Sequence, residues 1–496
     1  MNFPFSTQTS IDRNMAVKAA IFTFALAITA SQSALAAMPK PLSQSFRAAG
    51  VPESSVAIYV REVGRERPII EHRAAVPMNP ASTMKLVTTL VGLDALSPSY
   101  SWKTEFLTDG RLSDGVLDGA LYIRGGGDPK FTWENLQVAI KALREQGIRE
   151  IKGDFVMDRS RFIKVADDPA QFDGKPLRPY NVMPDALLYN FKSVGFKFSP
   201  QPDNSVSITS DGPIPDGLDI VNRLRATGGS CGDWRTLVTP VFESSGNAVR
   251  ASFTGTYAKE CGDRDWYVSL FDHAGIVSGS FAKLWRDSGG VWSGRARDGI
   301  VPAIAQKRFT HSSPPLSSMI SDINKFSNNV MARQLLLTID SELRKSAGSV
   351  ASATQSVRDW AGNRGFDVPD LRIENGSGLS RTERISAKSM GRFLEYGLTA
   401  PYSRDFVLSL PVAATDGTLS RRFNNMAADG NAFLKTGTLD GVKTLAGYLM
   451  LPDKRLVLFV GFINHPNADA GVKALDAAVE WVYQNPPSSK PSQIKR

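Results

Sequence analysis

The hydrophobic pattern near the start of the chain predicts a strand pair followed by a helix. Val56–Val60 is rich in β-branched and aromatic residues, and Pro68-Ile69-Ile70 is a candidate start for a paired strand. Pro80 ends the extended structure. The apolar run Met84–Leu96 has helical character, and Pro98 predicts its end.

From residue 98 to about residue 307 the pattern changes to short strands separated by turns. Runs of β-forming residues alternate there with Gly, Pro and Asp. The clearest runs are Leu121-Tyr122-Ile123, Asp154-Phe155-Val156-Met157 and Ser205-Val206-Ser207-Ile208. This texture predicts β-rich inserted material between two more helical parts of the chain.

The helical period returns after Ser313-Pro314-Pro315. Six apolar residues fit one broad helical face: Met319, Ile323, Phe326, Val330, Leu335 and Leu336. Two strong strand candidates follow, Val442–Met450 and Leu456–Ile463, and a last helix carries an apolar stripe from Leu475 to Val482. The polar, proline-bearing tail 486–496 is expected to be disordered.

The first 37 residues resemble an export signal rather than part of the fold. Lys18 precedes the apolar stretch Ala19–Ala30, and Ala34-Leu35-Ala36 matches a signal-peptidase site. The apolar stretch is shorter than the ~20 residues of a membrane span, so an uncleaved anchor is the less favoured alternative. We expect a cleaved signal peptide over 1–37 and export to the periplasm, with Met15 as an alternative start.

Composition places the chain among ordinary globular proteins. Its 496 residues are 42% hydrophobic and 22% charged, which excludes disordered, collagen-like and coiled-coil classes. The net charge is +9, but no basic run is interleaved with aromatics, so nucleic acid is not an expected partner.

The cysteines and histidines are too few and too scattered to suggest a metal site. The four histidines lie far apart, so no metal ion or other cofactor is expected. Cys231 and Cys261 are the two cysteines of the chain. In an exported protein such a pair is expected to form a disulfide, and two buried free thiols are the alternative.

Three short motifs that carry chemistry occur in order along the chain. Ser82-Thr83-Met84-Lys85 puts a serine and a lysine on one face of a helix start, where a neutral amine can take the serine proton. Ser327-Asn328-Asn329 offers a hydroxyl for proton transfer and an amide that can orient a substrate. Lys435-Thr436-Gly437 lies in a strand-like stretch, where the lysine and hydroxyls suit a carboxylate and glycine permits close backbone approach.

Single matches to these motifs carry little weight, whereas the ordered set does. The S-x-x-K pattern recurs at Ser280, which is predicted to cap a helix, and at Ser492, which lies in the tail after Lys435. Gly125-Gly126-Gly127-Asp128 lacks the ending of a phosphate-binding loop, so we expect a strand-end turn there. The Asp416-Gly417 pair is likewise interpreted as a turn.

The ordered set resembles that of penicillin-binding proteins and serine β-lactamases. Flanking segments narrow the resemblance to the D-alanyl-D-alanine carboxypeptidase/endopeptidases, the class C low-molecular-mass penicillin-binding proteins. These segments are Asn79–Lys85, Gly125–Pro129, Asn375–Arg381, Asp416–Leu419 and Gly447–Leu449. Glu374 departs from the family, which usually has aspartate there. The 245 residues from Ser82 to Ser327 also favour this class over compact β-lactamases.

The resemblance implies an α/β (α+β) multidomain fold. A penicillin-binding, serine β-lactamase-like transpeptidase domain, an antiparallel sheet flanked by helices, would be interrupted by β-rich inserted domains. The transpeptidase domain is expected over 38–97 and 308–485, and an inserted domain over 98–189 and 258–307. A second inserted domain, 190–257, is expected to be nested in the first.

The resemblance also implies a serine-type DD-peptidase of peptidoglycan. It would cleave the D-Ala-D-Ala end or D-Ala–diaminopimelate crosslinks through an acyl-enzyme, bind penicillin covalently, and associate with membranes at most peripherally. The expected catalytic residues are Ser82, Lys85, Ser327, Asn329 and Lys435. The expected substrate-binding residues are Thr436, Gly437, Thr438, Asp158 and Arg381.

Two other functions remain open. A serine β-lactamase would need an E-x-x-L-N loop to position the deacylating water, and the sequence has none that we can identify. A catalytically silent wall-binding scaffold is disfavoured by the intact Ser82, Lys85, Ser327 and Lys435.

Overall fold

The structure, a computed structural model, describes residues 38–164, 168–246 and 248–487. The predicted signal peptide, 1–37, and all but the first two residues of the predicted tail lie outside these residues. Within the described part of the chain, no helix has the length and apolarity needed to cross a membrane.

Helices and strands alternate along the described residues. The helices are α1 (Lys40–Ala48), α2 (Met84–Leu96), α3 (Trp133–Glu145), α4 (His273–Asp287), α5 (Leu316–Lys325), α6 (Asn329–Arg344), α7 (Val350–Asn363), α8 (Ala387–Thr399), α9 (Ser403–Leu408) and α10 (Val472–Gln484). The strands are β1 (Val56–Glu62), β2 (Ile70–His72), β3 (Pro77–Met78), β4 (Lys103–Thr108), β5 (Arg111–Ser113), β6 (Val116–Asp118), β7 (Leu121–Arg124), β8 (Glu150–Ile151), β9 (Phe155–Asp158), β10 (Val194–Pro200), β11 (Val206–Ser210), β12 (Leu218–Thr227), β13 (Val238–Ser245), β14 (Ala248–Ala258), β15 (Arg264–Val268), β16 (Val291–Trp292), β17 (Ala296–Asp298), β18 (Gln306–Ser312), β19 (Ile385–Ser386), β20 (Ala432–Leu439), β21 (Val442–Met450) and β22 (Leu456–Asn464).

Five strands from the two ends of the described chain form a central antiparallel sheet. Its order is β2-β1-β22-β21-β20, and the predicted strand candidates near the C-terminus lie in it as β21 and β22. Both strands are buried almost throughout, as expected where a sheet is covered on both faces. Successive side chains enter different cores: Tyr448 packs in one and Leu449 in the other.

Helices cover both faces of the central sheet. Every residue of α2 from Met84 to Leu93 is buried, and α2 packs against α5, α6 and α8. A helix that is apolar all round belongs in a core rather than on a surface. On the other face α1 packs against α10. These layers confirm the predicted antiparallel sheet flanked by helices.

The segment between α2 and α5 forms separate sheets, as its β-rich pattern predicts. The strand orders are β17-β9-β7-β4-β18, β16-β8-β6-β5, β11-β10-β15 and β12-β14-β13. Strand β15 follows the predicted end of the nested domain at residue 257, yet it pairs with β10 inside that domain. The domain boundaries therefore stay a prediction.

Cys231 and Cys261 form the predicted disulfide. The bond spans a sequence separation of 30 residues, which includes β13 and β14. Cys261 is buried, and Tyr257 donates its hydroxyl hydrogen bond to the Gly262 carbonyl at 2.7 Å beside it. The disulfide therefore closes the sheet β12-β14-β13 at one end.

The single apolar face predicted for residues 319–336 is divided between two helices. Helix α5 ends at Lys325 and α6 begins at Asn329. Phe326 is 70% exposed, so its predicted place on the buried face is wrong. Ser327 has a φ of 56°, a left-handed conformation that interrupts the helix. Periodicity alone does not reveal such a break, because the apolar spacing continues on both sides of it.

The predicted helix cap at Ser280 is also wrong. Ser280 lies inside α4 and is buried. The capping residue is Asp272, whose Oδ1 accepts a hydrogen bond from the Gly275 N–H at 2.6 Å. The helix thus starts about two turns earlier than the amphipathic run suggested.

The glycine run after β7 is a packing feature. Residues 125–127 form an irregular loop at the end of the strand, as the sequence analysis expects. A Cβ on Gly125 would lie 2.3 Å from the Ala186 carbonyl oxygen, and one on Gly126 would lie 2.2 Å from the Lys103 carbonyl oxygen. Close approach of neighbouring backbone therefore requires these glycines.

Candidate active site

Ser82 lies at the junction between the central sheet and α2. It sits in a short 3-10 helix, Ala81–Thr83, that runs directly into α2, so Lys85 falls in the first turn of that helix. Asn79 fixes the entry: its Oδ1 accepts from the Ala81 N–H at 2.9 Å, and its Nδ2 donates to the Ser380 carbonyl at 2.8 Å. The serine is half-buried and the lysine fully buried.

The amine of Lys85 contacts Ser82 and two groups that only accept hydrogen bonds. Its Nζ lies 3.1 Å from Ser82 Oγ and donates to Asn329 Oδ1 at 2.7 Å and to the Ser377 carbonyl. The amide oxygen and the carbonyl orient two N–H bonds of the amine. A neutral amine held in this way turns its lone pair toward Ser82 Oγ.

The surroundings of Lys85 favour its neutral form. Burial, and then the charge of Lys435, hold the pKa of Lys85 well below its usual value, while the Glu383 carboxylate opposes the shift. A lysine with a depressed pKa can act as a base at neutral pH. The geometry and the charge state of Lys85 thus suit proton abstraction from Ser82.

Ser327 and Lys435 form a second hydroxyl–amine pair. Lys435 is fully buried in β20, and its Nζ donates to Ser327 Oγ at 2.9 Å and to the Thr436 carbonyl at 2.8 Å. Burial lowers the pKa of Lys435 to about 7. The left-handed backbone of Ser327 is held by Asn328, which caps α6 by accepting from the Met331 N–H at 3.1 Å.

The structure therefore brings together five residues from three segments that are far apart in the sequence. Contacts of Lys85 join Ser82 and Asn329, and the contact of Lys435 joins Ser327 to the strand that bears Thr436 and Gly437. Thr438 lies further along this strand, with its side chain exposed. This strand, β20, is an edge strand of the central sheet.

Gly437 has a packing role that the sequence analysis does not foresee. A Cβ there would lie 2.1 Å from Thr444 Oγ1 and 2.9 Å from the Pro80 carbonyl oxygen. Thr444 donates to that same carbonyl at 2.8 Å. The close approach thus joins the strand to the segment just before Ser82, within the protein itself.

The loop that follows α7 supports Lys85 and escaped the list of predicted site residues. Glu383 is fully buried, and its Oε1 accepts from the N–H groups of Glu374, Asn375 and Gly376 at 3.1, 2.9 and 3.0 Å. These bonds hold the loop whose next residue, Ser377, presents its carbonyl to Lys85. Burial raises the pKa of Glu383, and the three N–H donors oppose that shift.

Thr418 is a second neighbour that the sequence analysis missed. It lies in a short 3-10 helix, Gly417–Leu419, and its Oγ1 is 2.8 Å from Thr436 Oγ1. Asp416, interpreted from the sequence as part of a turn, precedes this helix and forms an ion pair with Lys325. The pair fixes Thr418 beside the strand that carries Lys435.

Arg381 reaches the candidate site through an aromatic contact. Its guanidinium lies over the Phe172 ring at 5.1 Å from the centroid, and its Nη1 donates to the Asp440 carbonyl at 2.8 Å. Phe172 comes from the inserted segment and packs against a small cluster of Ala81, Leu439 and Val442. Arg381 therefore lies in the neighbourhood of Ser82.

The contacts of Asp158 stay within the inserted segment. One carboxylate oxygen accepts from the Ser160 N–H and hydroxyl at 3.0 and 2.6 Å, and the other accepts from the Val301 N–H at 3.0 Å. Asp158 is buried. These contacts do not link it to Ser82, and its predicted contact with substrate stays a prediction.

The family comparison agrees with the geometry. The profile of the D-Ala-D-Ala carboxypeptidase 3 (S13) family matches residues 41–485. The chain belongs to this family. Membership in the S13 family confirms the resemblance drawn from the motifs, and with it the predicted class of enzyme, a serine-type D-Ala-D-Ala carboxypeptidase.

Relatives of this S13 chain align over most of its length. The D-alanyl-D-alanine carboxypeptidase of Actinomadura sp. is 28% identical over 426 residues, 81% of this chain and 76% of the relative. D-alanyl-D-alanine carboxypeptidase DacB of Haemophilus influenzae is 24% identical over 420 residues, 83% and 85% of the two chains.

The fold also matches a solved structure. The crystal structure of penicillin-binding protein 4 from H. influenzae aligns with a TM-score of 0.73 and 23% identity, over 90% of this chain and 100% of that one. That protein has also been crystallised in complex with a β-lactam. At this identity the likeness supports the fold.

Proposed function

We propose that Ser82 is the nucleophile of a DD-peptidase that works through an acyl-enzyme. The observation that carries the proposal is the contact of Lys85 Nζ with Ser82 Oγ, while Asn329 and Ser377 accept the two N–H bonds of the neutral amine. Lys85 takes the hydroxyl proton of Ser82 while Ser82 Oγ bonds to the carbonyl carbon of the residue that precedes the terminal D-alanine.

The remaining residues of the site stabilise and release the products. The scissile C–N bond breaks as Ser327 relays to the leaving amine the proton that Lys85 took from Ser82, while Lys435 donates a hydrogen bond to Ser327 Oγ. Water then hydrolyses the ester and regenerates Ser82. The backbone N–H groups of Ser82 and Thr438 form the oxyanion hole, each donor contributing about 3 kcal/mol to transition-state stabilisation.

Substrate recognition uses both ends of the peptide. Asn329 binds the amide on the acyl side. Lys435, Thr436 and Thr438 bind the terminal carboxylate, which a charged donor and two hydroxyls suit. Gly437 keeps this strand close to Ser82.

The substrate is the stem peptide of peptidoglycan, at its D-Ala-D-Ala end or at a D-Ala–diaminopimelate crosslink. Asp158 and Arg381 contact the diaminopimelate end. The position of Arg381 over Phe172, which packs against the cluster that contains Ala81, supports its part in this contact. The buried carboxylate of Asp158 needs a rearrangement of its bonds to Ser160 and Val301 before it can contribute.

The enzyme works in the periplasm after export and removal of residues 1–37. The disulfide is compatible with an oxidising compartment. β-Lactams act as covalent inhibitors, since they mimic the D-alanyl-D-alanine end and acylate the same serine. Neither nucleic acid nor a metal ion takes part, and any membrane association is peripheral.

The test measures D-alanine release and the lifetime of a labelled-penicillin adduct on the mature protein. A DD-peptidase releases D-alanine and keeps the adduct. Rapid turnover of penicillin would favour a β-lactamase, and no adduct would favour a scaffold. Ser82→Ala is expected to abolish both signals, whereas Ser280→Ala, which alters the second S-x-x-K serine, is the matched control.

A second variant tests the carboxylate pocket. Lys435→Ala is expected to weaken turnover of peptides with a free carboxylate by roughly 1.5–3 kcal/mol, the value of a hydrogen bond to a charged group. The far-ultraviolet circular dichroism spectrum should be unchanged. Equal activity of the variant and the wild type on such peptides would contradict the assignment.

A further inference from the structure

A large cavity adjoins the candidate active site on the side of Ser327. It has a volume of about 680 Å3 and lies between the start of α6 and the inserted segment. Ser327 and Asn329 line this cavity and also belong to the candidate catalytic group. The carboxylate of a single D-alanine leaving group would bind at Lys435 and Thr436, which lie outside the walls of the cavity. Release of one D-alanine therefore leaves most of the cavity unused.

The cavity, called the junction cavity below, has aromatic and cationic walls. Its main side chains are Trp133, Arg178, Tyr180, Arg235, Tyr267 and Phe326. Phe326, Tyr267 and Tyr180 are 70%, 46% and 38% exposed. Clustered exposed aromatics in one concave surface are typical of a binding site rather than of an ordinary protein surface.

Tyr180, one of the aromatic side chains of the cavity, is held in place by a hydrogen bond. It donates its hydroxyl hydrogen bond to Asp173 at 2.8 Å. A ring fixed in this way loses little conformational freedom when a ligand packs on it. This part of the wall is therefore organised before a ligand arrives.

The cationic groups of the cavity suit carboxylates. The Arg235 guanidinium stacks on Trp234 and Trp266 at 5.3 and 5.7 Å and donates to the Asp265 carbonyl at 3.2 Å. Arg178 lines the same cavity. The walls also carry the carboxylates of Glu134 and Asp211. A ligand with both carboxylates and amide or amine donors fits this mixture.

We propose that the junction cavity binds the leaving half of a cross-linked stem peptide. This rests on the proposed function, in which Ser327 gives a proton to the leaving amine and the chain beyond that amine emerges beside Ser327. Arg381, which does not line this cavity, is proposed to bind the acyl half. The leaving half of a crosslink is a peptide with several carboxylates, whereas the leaving group of a free stem is one D-alanine. The cavity thus favours crosslink cleavage.

The experiment compares two substrates with the same acyl half: a cross-linked dimer of stem peptides and a monomer that ends in D-Ala-D-Ala. The readout is the ratio of kcat/KM for the dimer to that for the monomer. In the double variant Arg178→Ala/Arg235→Ala we expect this ratio to fall about tenfold, the size typical of a lost hydrogen bond to a charged group. The matched control is Arg223→Ala, an exposed arginine of β12, and it should keep the wild-type ratio.

A change in the substrate provides the complementary test. A dimer whose leaving-half carboxylates are amidated, except the one next to the scissile bond that Lys435 is proposed to bind, should lose the same factor with the wild type and lose nothing further with the double variant. Tyr267→Ala, which removes a wall without changing charge, should also lower the ratio. An unchanged ratio in these variants, with labelled penicillin still bound, overturns the proposal for the cavity. If the wild type cleaves neither substrate, the proposed function itself fails.

Discussion

The central sheet and the three-stranded sheet β12-β14-β13 meet solvent in opposite ways. All of β22 except its two end residues is buried, whereas most residues of β13 are exposed. Helices cover the central sheet on both faces, and its edge strand β20 carries Lys435. The second sheet is covered on one face and is closed by the disulfide between Cys231 and Cys261.

This difference separates the region whose burial creates the surroundings for catalysis from the region that depends on a disulfide for stability. Burial on both faces creates the low-polarity surroundings that depress the pKa of Lys85 and Lys435, so a charged amine there costs stability. The one-faced sheet buries less apolar surface, and a covalent bond compensates by restricting the unfolded chain. We therefore expect variants of the two regions to affect different properties.

The largest effect is expected from Lys85→Met. Loss of the base should lower kcat/KM for D-alanine release, and the rate of penicillin acylation, by about 10²–10⁴-fold. Methionine has a similar unbranched shape, so the buried site should keep its packing. The matched control is Lys283→Met, which removes the lysine of the second S-x-x-K, an ion-pair partner of Asp287. Near-normal acylation of Lys85→Met would contradict the assignment of the chemistry to the buried lysine beside the central sheet.

The second effect concerns the disulfide. Replacing both Cys231 and Cys261 with serine should lower the free energy of unfolding by about 3–4 kcal/mol in the chain-entropy account. Penicillin acylation below the unfolding temperature should proceed at the wild-type rate, since the bond lies outside the candidate active site. Two titratable thiols in denatured, unreduced wild-type protein would contradict the pairing.

The third effect is a gain of stability. The pKa of Lys435 falls from 10.5 to about 7 on folding, so the unfolded state binds more protons between these values. The resulting destabilisation is fully present below pH 7 and disappears as pH rises toward 10.5. Lys435→Met should therefore raise the free energy of unfolding by roughly 1–4 kcal/mol near pH 6, although turnover is weakened.

The pH dependence of that gain separates it from a general packing effect. Denaturant unfolding at several pH values should show the advantage of Lys435→Met shrinking between pH 7 and pH 10. Lys443 lies in β21 of the same sheet and forms an ion pair with Asp469. Lys443→Met removes this ion pair and should give no gain in the free energy of unfolding. A gain that is constant with pH would show that burial of the charge is not its cause.

The smallest effect is expected in the inserted segment. Ser280 is 1% exposed and lines a small cavity together with Tyr189. Ser280→Ala should destabilise the protein by at most about 1 kcal/mol, measured by denaturant unfolding, because only one buried hydroxyl group is removed. Labelled penicillin should bind as before. Loss of the adduct in this variant would mean that the chemistry is not confined to the region of Ser82.

Much of the fold follows from the sequence because apolar runs and periodicity report burial directly. The strands Val442–Met450 and Leu456–Asn464 coincide with their predictions almost residue for residue. The errors at Phe326 and Ser280 have a common cause. In both cases apolar spacing did not mark the true helix boundary: it continued past the left-handed Ser327, and it began only after the start of α4, which Asp272 caps.

The candidate site was predictable where side-chain motifs mark it and hidden where backbone or distant residues build it. Ser82, Lys85, Ser327 and Lys435 belong to short motifs. The Ser377 carbonyl has no sequence signal of its own, and Glu383 is a lone carboxylate among many. Only the fold brings these two to Lys85. The aromatic walls of the junction cavity come from segments that no motif connects.

The measurement that tests the central claim most directly is mass spectrometry of the penicillin-treated mature protein, digested to peptides. Penicillin acylates the nucleophile, and the ester lasts when no water is positioned to remove it. The account predicts one adduct, on the peptide that bears Ser82, and its loss in Ser82→Ala together with D-alanine release. An adduct on Ser280 or any other serine, or continued cleavage by Ser82→Ala, would contradict it.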